Sequence, residues 1–307
     1  MNSSPEPVLI TGATGRQGGA TARALLAAEV PVRALVRHPS SPAAQEVEAL
    51  GAELVAGNLL DRDSLLRAMR GVRGVFSVQM PAVYGAGFDF QNELDQALTL
   101  IDAARATDVP HFVQTTASGV SRFTDWPGHE TGRWDALAPY FTTKNTIENR
   151  VREAGFQQWT ILRPGTFMEN FLPEAAYLLP RGLEGGIVTV LKPHTHLSLV
   201  AVPDIGAVAA AAFTDPDRFD RMELELASDY LPMSEIARAL SAALGVELQA
   251  PDLTDAQALA AGMPAWALES HEMLREIGQP ARPEFLRALG IRPTSFTQWL
   301  QPWALAS

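Results

Sequence analysis

A short apolar run that ends in a glycine-rich turn and passes at once into a helical pattern leaves a chain few ways to fold. Val8 to Leu26 reads VLITGATGRQGGATARALL, with Gly12, Gly15 and Gly18 spaced G-x-x-G-x-x-G. Gly12 permits a tight turn off a strand, Gly15 lets backbone approach a pyrophosphate, and Gly18 lets the next helix pack close to the strand. The helix then points unpaired N–H groups and the positive end of its dipole at the phosphates. Gly12, Ala13, Thr14, Gly15, Arg16, Gln17 and Gly18 are therefore the expected phosphate turn of a dinucleotide site. The alternative is a glycine-rich turn with no ligand.

Downstream, apolar runs of strand length alternate with amphipathic stretches of helix length. Strands are expected at Val8–Thr11, Val32–Val36, Glu53–Ala56, Gly74–Val78, Phe112–Thr116 and Thr160–Arg163. Helices are expected near Gln17–Ala28, Pro42–Leu50, Arg62–Met69, Asn92–Ala106 and Thr142–Ala154. Such alternation reads as βαβ units, hence an α/β fold with a doubly wound, mostly parallel Rossmann sheet under helices on both faces. The rhythm breaks at Pro164–Gly165. Residues 1–164 are expected to form the NAD(P)-binding Rossmann domain. Residues 165–307 are expected to form a smaller, mainly helical substrate lobe, with segments near 186–227 returning to the sheet. In that half, strands are expected at Gly186–Leu191 and Glu223–Ala227, helices at Asp204–Phe213 and Met233–Leu244, and a helical, aromatic tail from Asp252 to Trp303. A ligand should bind between the lobes, at the C-terminal ends of the strands.

Composition removes several classes of function. The chain has 307 residues, 47% of them hydrophobic, which is enough for a large core. Its net charge of −11 argues against direct nucleic-acid binding and against docking to an anionic membrane, since both favour a basic surface. A small-molecule substrate or a protein partner remains. There is no cysteine, so thiolate nucleophiles, disulfides and Cys-ligated metals are excluded. The polar start MNSSPEP has no charged-then-apolar leader and no apolar run reaches spanning length, so a cytoplasmic location is expected.

Arg37 follows the second strand, where this kind of fold meets the adenosine ribose. An acid there would accept from a 2′-hydroxyl; a guanidinium pairs with a 2′-phosphate. NADP(H) is thus expected over NAD(H), with Arg16 able to help from within the turn. Asn58, ending the third strand in GNLLD, is either an adenine contact or an ordinary turn residue. Gln79 closes the fourth strand beside the expected cofactor path. Tyr140 and Lys144, in YFTTK, share one helix face at a spacing of four. The ammonium can lower the phenol's pKa and hold the nicotinamide ribose, and the phenol can act as general acid or base at a carbonyl. The chain has only four tyrosines and two lysines, Lys144 and Lys192, so the pairing carries information. His194-x-His196 would put two imidazoles on one strand face, but no third ligand has metal-site spacing and no metal is expected. No G-x-S-x-G elbow is present, which argues against a serine hydrolase. The run Ser118–Asp135, carrying Phe123, Trp126, His129 and Trp134, is long enough for a lid, or else packs down as a satellite cluster.

With these residues in view, the chain resembles the NmrA-like family of atypical short-chain dehydrogenase/reductases almost end to end. ITGATGRQGG is similar to the family's nucleotide loop, LVRHP to its arginine-bearing second strand, and GNLLDRDSL to the stretch after the third strand. LRPGTFMENF resembles a segment lying along the nicotinamide half of the cofactor, and VAVPDIGAVAAAAF and PTSFTQWL also look familial. The resemblance implies cofactor contacts from Gly12 to Gly18, Arg37, Asn58, Leu59, Gln79, Lys144 and the Phe167–Asn170 segment. It also implies either a quinone or isoflavone-type reductase or a protein that binds NADP(H) and regulates a transcription factor. Tyr140 departs from the many members that keep only the lysine and pulls toward the active reductases. Ala117 stands near where those reductases carry a Ser or Thr, for which Thr116 or Ser118 could substitute. The first expectation is hydride transfer to a small apolar carbonyl or quinone, with Tyr140 and Lys144 catalytic and Phe167, Met168, Phe171, Leu172 and the tail tryptophans either facing an apolar substrate or forming core. The second is a non-catalytic redox sensor.

Overall fold

The computed structural model describes residues 6–84, 87–172 and 178–304. The chain runs β1 (Val8–Ile10), α1 (Arg16–Ala27), β2 (Val32–Val36), α2 (Pro42–Ala49), β3 (Glu53–Ala56), α3 (Arg62–Ala68), β4 (Gly74–Ser77), β5 (Ala82–Tyr84), β6 (Gly87–Asp89), α4 (Phe90–Ala106), β7 (His111–Thr115), α5 (Ala138–Glu153) and β8 (Gln158–Pro164). It continues through β9 (Thr166–Phe167), β10 (His196–Val200), α6 (Val202–Thr214), α7 (Pro216–Phe219), β11 (Met222–Leu226), β12 (Asp229–Pro232), α8 (Met233–Leu244), α9 (Asp255–Ala260), α10 (Leu268–Glu276), α11 (Pro283–Ala288) and α12 (Phe296–Ala304).

The fold is the doubly wound α/β class that the alternation predicts. A seven-stranded sheet has the order β11-β8-β7-β4-β1-β2-β3. The pairs β1–β2, β1–β4, β2–β3, β4–β7 and β7–β8 are all parallel. Near-continuous apolar strands suit a sheet covered on both faces: β1 and β4 are buried along their whole lengths. From β1 the chain steps one way to β2 and β3 and then back to β4 on the other side. The crevice at the C-terminal ends of β1 and β4 is therefore the topological switch point, where such sheets bind ligands. Leu9, Leu65, Leu100, Ile101, Phe112, Phe156 and Ile161 belong to one buried cluster of this layer.

Two compact units make up the chain, neither a continuous stretch. The first is Met1–Val120, Pro139–Arg163 and Val202–Leu224; the second is Ser121–Ala138, Pro164–Ala201 and Glu225–Ser307. β11 joins the large sheet, and α6 packs along α1 in the first unit. The second unit holds a three-stranded sheet, β12-β10-β9, and a core built from Met168, Phe171, Leu197, Leu199, Ile236, Leu240 and Phe296.

Three expectations need correction. Gly186–Leu191 forms no strand: Ile187, Val188, Val190 and Leu191 are buried, but the run is irregular backbone held through single bonds such as Val188 N–H to the Leu178 carbonyl, 2.9 Å. A short buried apolar run satisfies periodicity without needing a ladder. Helix α5 begins at Ala138 rather than Thr142, with Pro139 in its first turn, where a missing N–H costs nothing. Tyr140 is therefore already in the helix's first turn. His194 lies in the turn before β10, so it and His196 do not share a strand face.

Candidate functional site

The glycine turn takes the shape its spacing predicts. Gly12 sits at φ +60°, where a side chain is strained, and a Cβ on Gly18 would lie 2.3 Å from the Gly12 carbonyl oxygen and 2.5 Å from that of Thr11. Only hydrogen fits there, so α1 rises directly off β1. Gly15 differs: a Cβ would meet nothing nearer than the Gly12 oxygen at 3.3 Å, and the residue is exposed. Gly15 is also the N-cap of α1 and offers no side chain to its N–H groups, and no acid stands in the first turn. In the same unit α2, α3 and α4 are capped by Ser41, Asp61 and Asp89. The uncapped donors of α1 fit a phosphate-bearing ligand. Thr14 and Arg16 are exposed beside them, Ala13 is buried under the turn, and Gln17 Oε1 accepts from Thr115 Oγ1 at 2.7 Å, tying α1 to β7. Thr11 Oγ1 accepts from Val78 N–H at 2.9 Å and holds the ends of β1 and β4 in register.

Arg37 leaves the end of β2 into a concavity of about 430 Å³ together with His38, Asn58, Asp61, Ser64 and Arg67. Two guanidiniums and an imidazole thus face one space. Asp61, the one acid among these lining residues, caps α3 by accepting from the Asp63 and Ser64 N–H groups at 3.1 and 3.2 Å. The space suits a dianionic phosphate more than a ribose hydroxyl. Arg67 and His38 were not singled out in the sequence. Arg67 reads there as an ordinary basic residue in the last turn of a helix, and nothing local reveals that α3 brings it back toward Arg37. Asn58 Oδ1 accepts from Leu60 N–H at 3.0 Å, the closure of an Asx turn, while Leu59 packs partly against the core.

Gln79 is buried rather than open. Its Oε1 accepts from Gln114 Nε2 at 3.0 Å and its Nε2 donates to Ser77 Oγ at 2.7 Å, and Ser77 in turn donates to Gln114 Oε1 at 2.7 Å. This closed ring joins β4 to β7 and leaves Gln79 one N–H.

Tyr140 and Lys144 lie on one face of α5, with Nζ 5.4 Å from the phenol ring centre. Phe90 and Phe141 meet the ring edge-on, at 5.9 and 5.1 Å between centroids. Lys144 is buried, and its ammonium is bonded to Glu93, a carboxylate in the first turn of α4 with no exposed surface. Burial pushes the Tyr140 pKa up; Lys144 lowers it, as its place on the helix face predicts, but burial, reinforced by Glu93, outweighs that and the net direction is upward. Burial also works against the Lys144 charge, but Glu93, Tyr140 and Glu148 outweigh it and the ammonium is held more firmly than usual. One turn further along α5, Glu148 is fully buried and accepts from Arg163 Nε at 2.9 Å, from Arg152 at 2.8 Å, and from Thr116 Oγ1 at 2.7 Å. Thr116 therefore gives its proton to α5, and Ser118 is buried.

In the second unit, Phe167 and Asn170 are half-buried, whereas Met168 and Phe171 are core. Phe171 packs edge-on to Phe296, and Trp299, stacked on Phe296, donates to Glu169 Oε1 at 3.2 Å. Met168 and Phe171 thus belong to the core rather than to a substrate wall. The Trp303 side chain lies outside the described residues. Phe123, Trp126 and Trp134 pack down in a chain of edge-on contacts, with Trp134 Nε1 donating to the Pro127 carbonyl at 2.9 Å. His196 stacks on Tyr230, and among the described residues no three His, Asp or Glu gather as a metal site. Among those residues, too, no helix is long and apolar enough to cross a membrane.

A family model described as the NmrA-like family matches residues 5–279. An NAD(P)H azoreductase of Xenophilus azovorans is 31% identical over 283 residues, spanning 91% of this chain and 88% of that protein. The NADPH-dependent quinone oxidoreductase of Escherichia coli, solved with NADPH, superposes with a TM-score of 0.74 at 20% identity, covering 96% of this chain and 99% of that one. NmrA, a negative transcriptional regulator solved with NADP, superposes with a TM-score of 0.68 at 20% identity, covering 98% and 91%. At those identities the last two speak for the fold.

Proposed function

We propose that this chain, which belongs to the NmrA-like family, is an NADP(H)-dependent oxidoreductase that reduces a small apolar carbonyl or quinone. The observation that carries the reading is the placement of Tyr140 and Lys144 on one face of α5 in the same unit as an uncapped glycine turn. The likeness to an NAD(P)H azoreductase and the fold shared with an NADPH-dependent quinone oxidoreductase support it. The α1 donors and the exposed face of Gly15 would hold the pyrophosphate, Arg37 with Arg67 and His38 the 2′-phosphate, and Lys144 the nicotinamide ribose. Asn58, Leu59, Gln79, Phe167 and Asn170 are the remaining proposed contacts. Reduced nicotinamide, when bound, supplies hydride. The Tyr140 phenol would donate the proton that completes the new hydroxyl and recover one from solvent.

A non-catalytic NADP(H) sensor is the second reading. It is favoured by Thr116, whose hydroxyl is committed to Glu148 instead of standing ready for a substrate carbonyl. Its partner would be a protein, as the fold shared with a transcriptional regulator suggests. Following NADPH absorbance across quinones, aldehydes and azo compounds separates the two. Turnover that falls at least about 100-fold in Tyr140→Phe supports the reductase. Tight NADPH binding with no turnover on any acceptor supports the sensor. Arg37→Ala should weaken NADPH by about 10–100-fold and leave NADH nearly unchanged; equal losses would remove the 2′-phosphate assignment.

A further inference from the structure

Glu93 is the least expected group beside Tyr140 and Lys144. A fully buried carboxylate costs several kcal/mol of desolvation, and a buried ion pair rarely adds stability over apolar residues of the same size. Its second oxygen, Oε2, is buried with no hydrogen-bond partner. Carboxylates held this way call for a reason other than folding. An unpaired ammonium 5.4 Å from a phenol ring would favour the phenolate and pull its ionisation down by about 1–3 units. That would make the tyrosine a base, suited to oxidising alcohols. With Glu93 bonded to the ammonium, part of that pull is offset, Lys144 staying the stronger of the two charges acting on the phenol. Phe90 and Phe141 supply nothing to stabilise an anion.

We propose that Glu93 is a positioning residue that offsets part of the Lys144 charge toward Tyr140, so that the phenol stays a proton donor for reduction at neutral pH. This rests on the reductase reading above and adds the pH range over which the proton donor holds its proton for reduction. The ionisable groups around the phenol are Lys144 on its own helix and Glu93 from α4. Glu148, one turn along α5, acts on Lys144. The upward direction of the Tyr140 pKa agrees with a phenol that stays protonated at neutral pH. In the reduction, the substrate carbon gains hydride from the reduced nicotinamide and the substrate oxygen gains the Tyr140 proton. Lys144 and Glu93 keep their charges throughout.

The test is an ultraviolet titration of phenolate in the full-length, cofactor-free protein, with the Tyr140 signal isolated by subtracting Tyr140→Phe. Glu93→Gln should lower the Tyr140 transition by at least about one unit, and Glu93→Asp, which keeps the charge, should stay near wild type. An unchanged transition in Glu93→Gln, or a wild-type Tyr140 that ionises below an ordinary tyrosine, overturns the proposal. If Glu93→Gln does not fold, the neutral double variant Glu93→Gln/Lys144→Met decides. A transition no more than about a unit above wild type supports the offset, and a larger rise refutes it. Because the titration needs no turnover, it can fail while the reductase stands, and it can succeed in a protein that reduces nothing. In an active enzyme, the alkaline limb of kcat for reduction and the acid limb of kcat for alcohol oxidation should both move down in Glu93→Gln.

Discussion

Gly15 and Gly18 stand three residues apart and are constrained by different things. A methyl group on Gly18 would run into two backbone carbonyls that cannot move, whereas one on Gly15 meets a single oxygen at an only slightly tight distance. Gly18→Ala should therefore cost about 3 kcal/mol of stability, read as a fall in the urea midpoint. Gly15→Ala should fold within about 1 kcal/mol of wild type and still bind NADPH at least about tenfold more weakly by calorimetry. If Gly15→Ala bound as tightly as wild type, the proposed seat of the pyrophosphate on this turn would be wrong. At this scale the sequence was informative about small residues and less so about large ones. A glycine repeat names its own geometry. Met168 and Phe171 could face a ligand or a core equally well by composition, and only their zero and 1% exposure place them in the core.

At the scale of elements, α5 is the clearest case. Its period of four, through Tyr140, Lys144, Glu148 and Arg152, is legible as one helix face. What that face meets is not legible, because Glu93 and Arg163 lie on other elements. Glu148 draws together Thr116 at the end of β7, Arg163 on β8 and Arg152 on its own helix, and so sets the height of α5 against the sheet. Glu148→Gln removes the buried charge that faces Arg163, which keeps its bond to Glu223, and should cost about 3–5 kcal/mol in chemical denaturation. The apolar pair Glu148→Leu/Arg163→Met should recover most of that loss. A single substitution costing under about 1 kcal/mol would show that the cluster does not anchor the helix. The irregular Gly186–Leu191 run teaches the converse: its apolar residues are buried as expected, yet burial alone does not demand a strand.

Across the whole molecule, each unit holds a buried histidine kept neutral. His111, on β7 in the first unit, packs against Phe213; burial and the neighbouring Arg73 bring its pKa down to about 4, with Asp220 pulling slightly the other way. His271, on α10 in the second unit, stands 2.8 Å from Thr189 Oγ1, and burial brings it to about 4 as well. Both folded-state values lie below the ordinary 6.5, so unfolding takes up protons between those limits. Stability is then fully present above about pH 6.5 and falls as the pH drops toward 4, by about 2 kcal/mol per histidine between about pH 7 and about pH 5. Thermal melts at those two values should show the drop in wild type and most of it abolished in His111→Gln/His271→Gln. An unaltered pH slope in the double variant would assign the acid sensitivity to other groups.

The sequence alone determined the βαβ rhythm, the glycine turn, the arginine at the end of β2 and the Tyr140–Lys144 face. All of these are written in local spacing, because strand and helix periods and glycine sterics act over a few residues. The tertiary structure decided what those groups meet. Glu93, 51 residues before Lys144, is bonded to the ammonium that local reading set against the phenol alone. Arg67 comes to face Arg37 across a turn of sheet and helix. Residues 121–138 group with the second unit, where Arg133 bonds Glu272, and residues 202–224 with the first. Pairings between distant charges depend on which elements the sheet order makes neighbours, and a single sequence carries no local trace of that order.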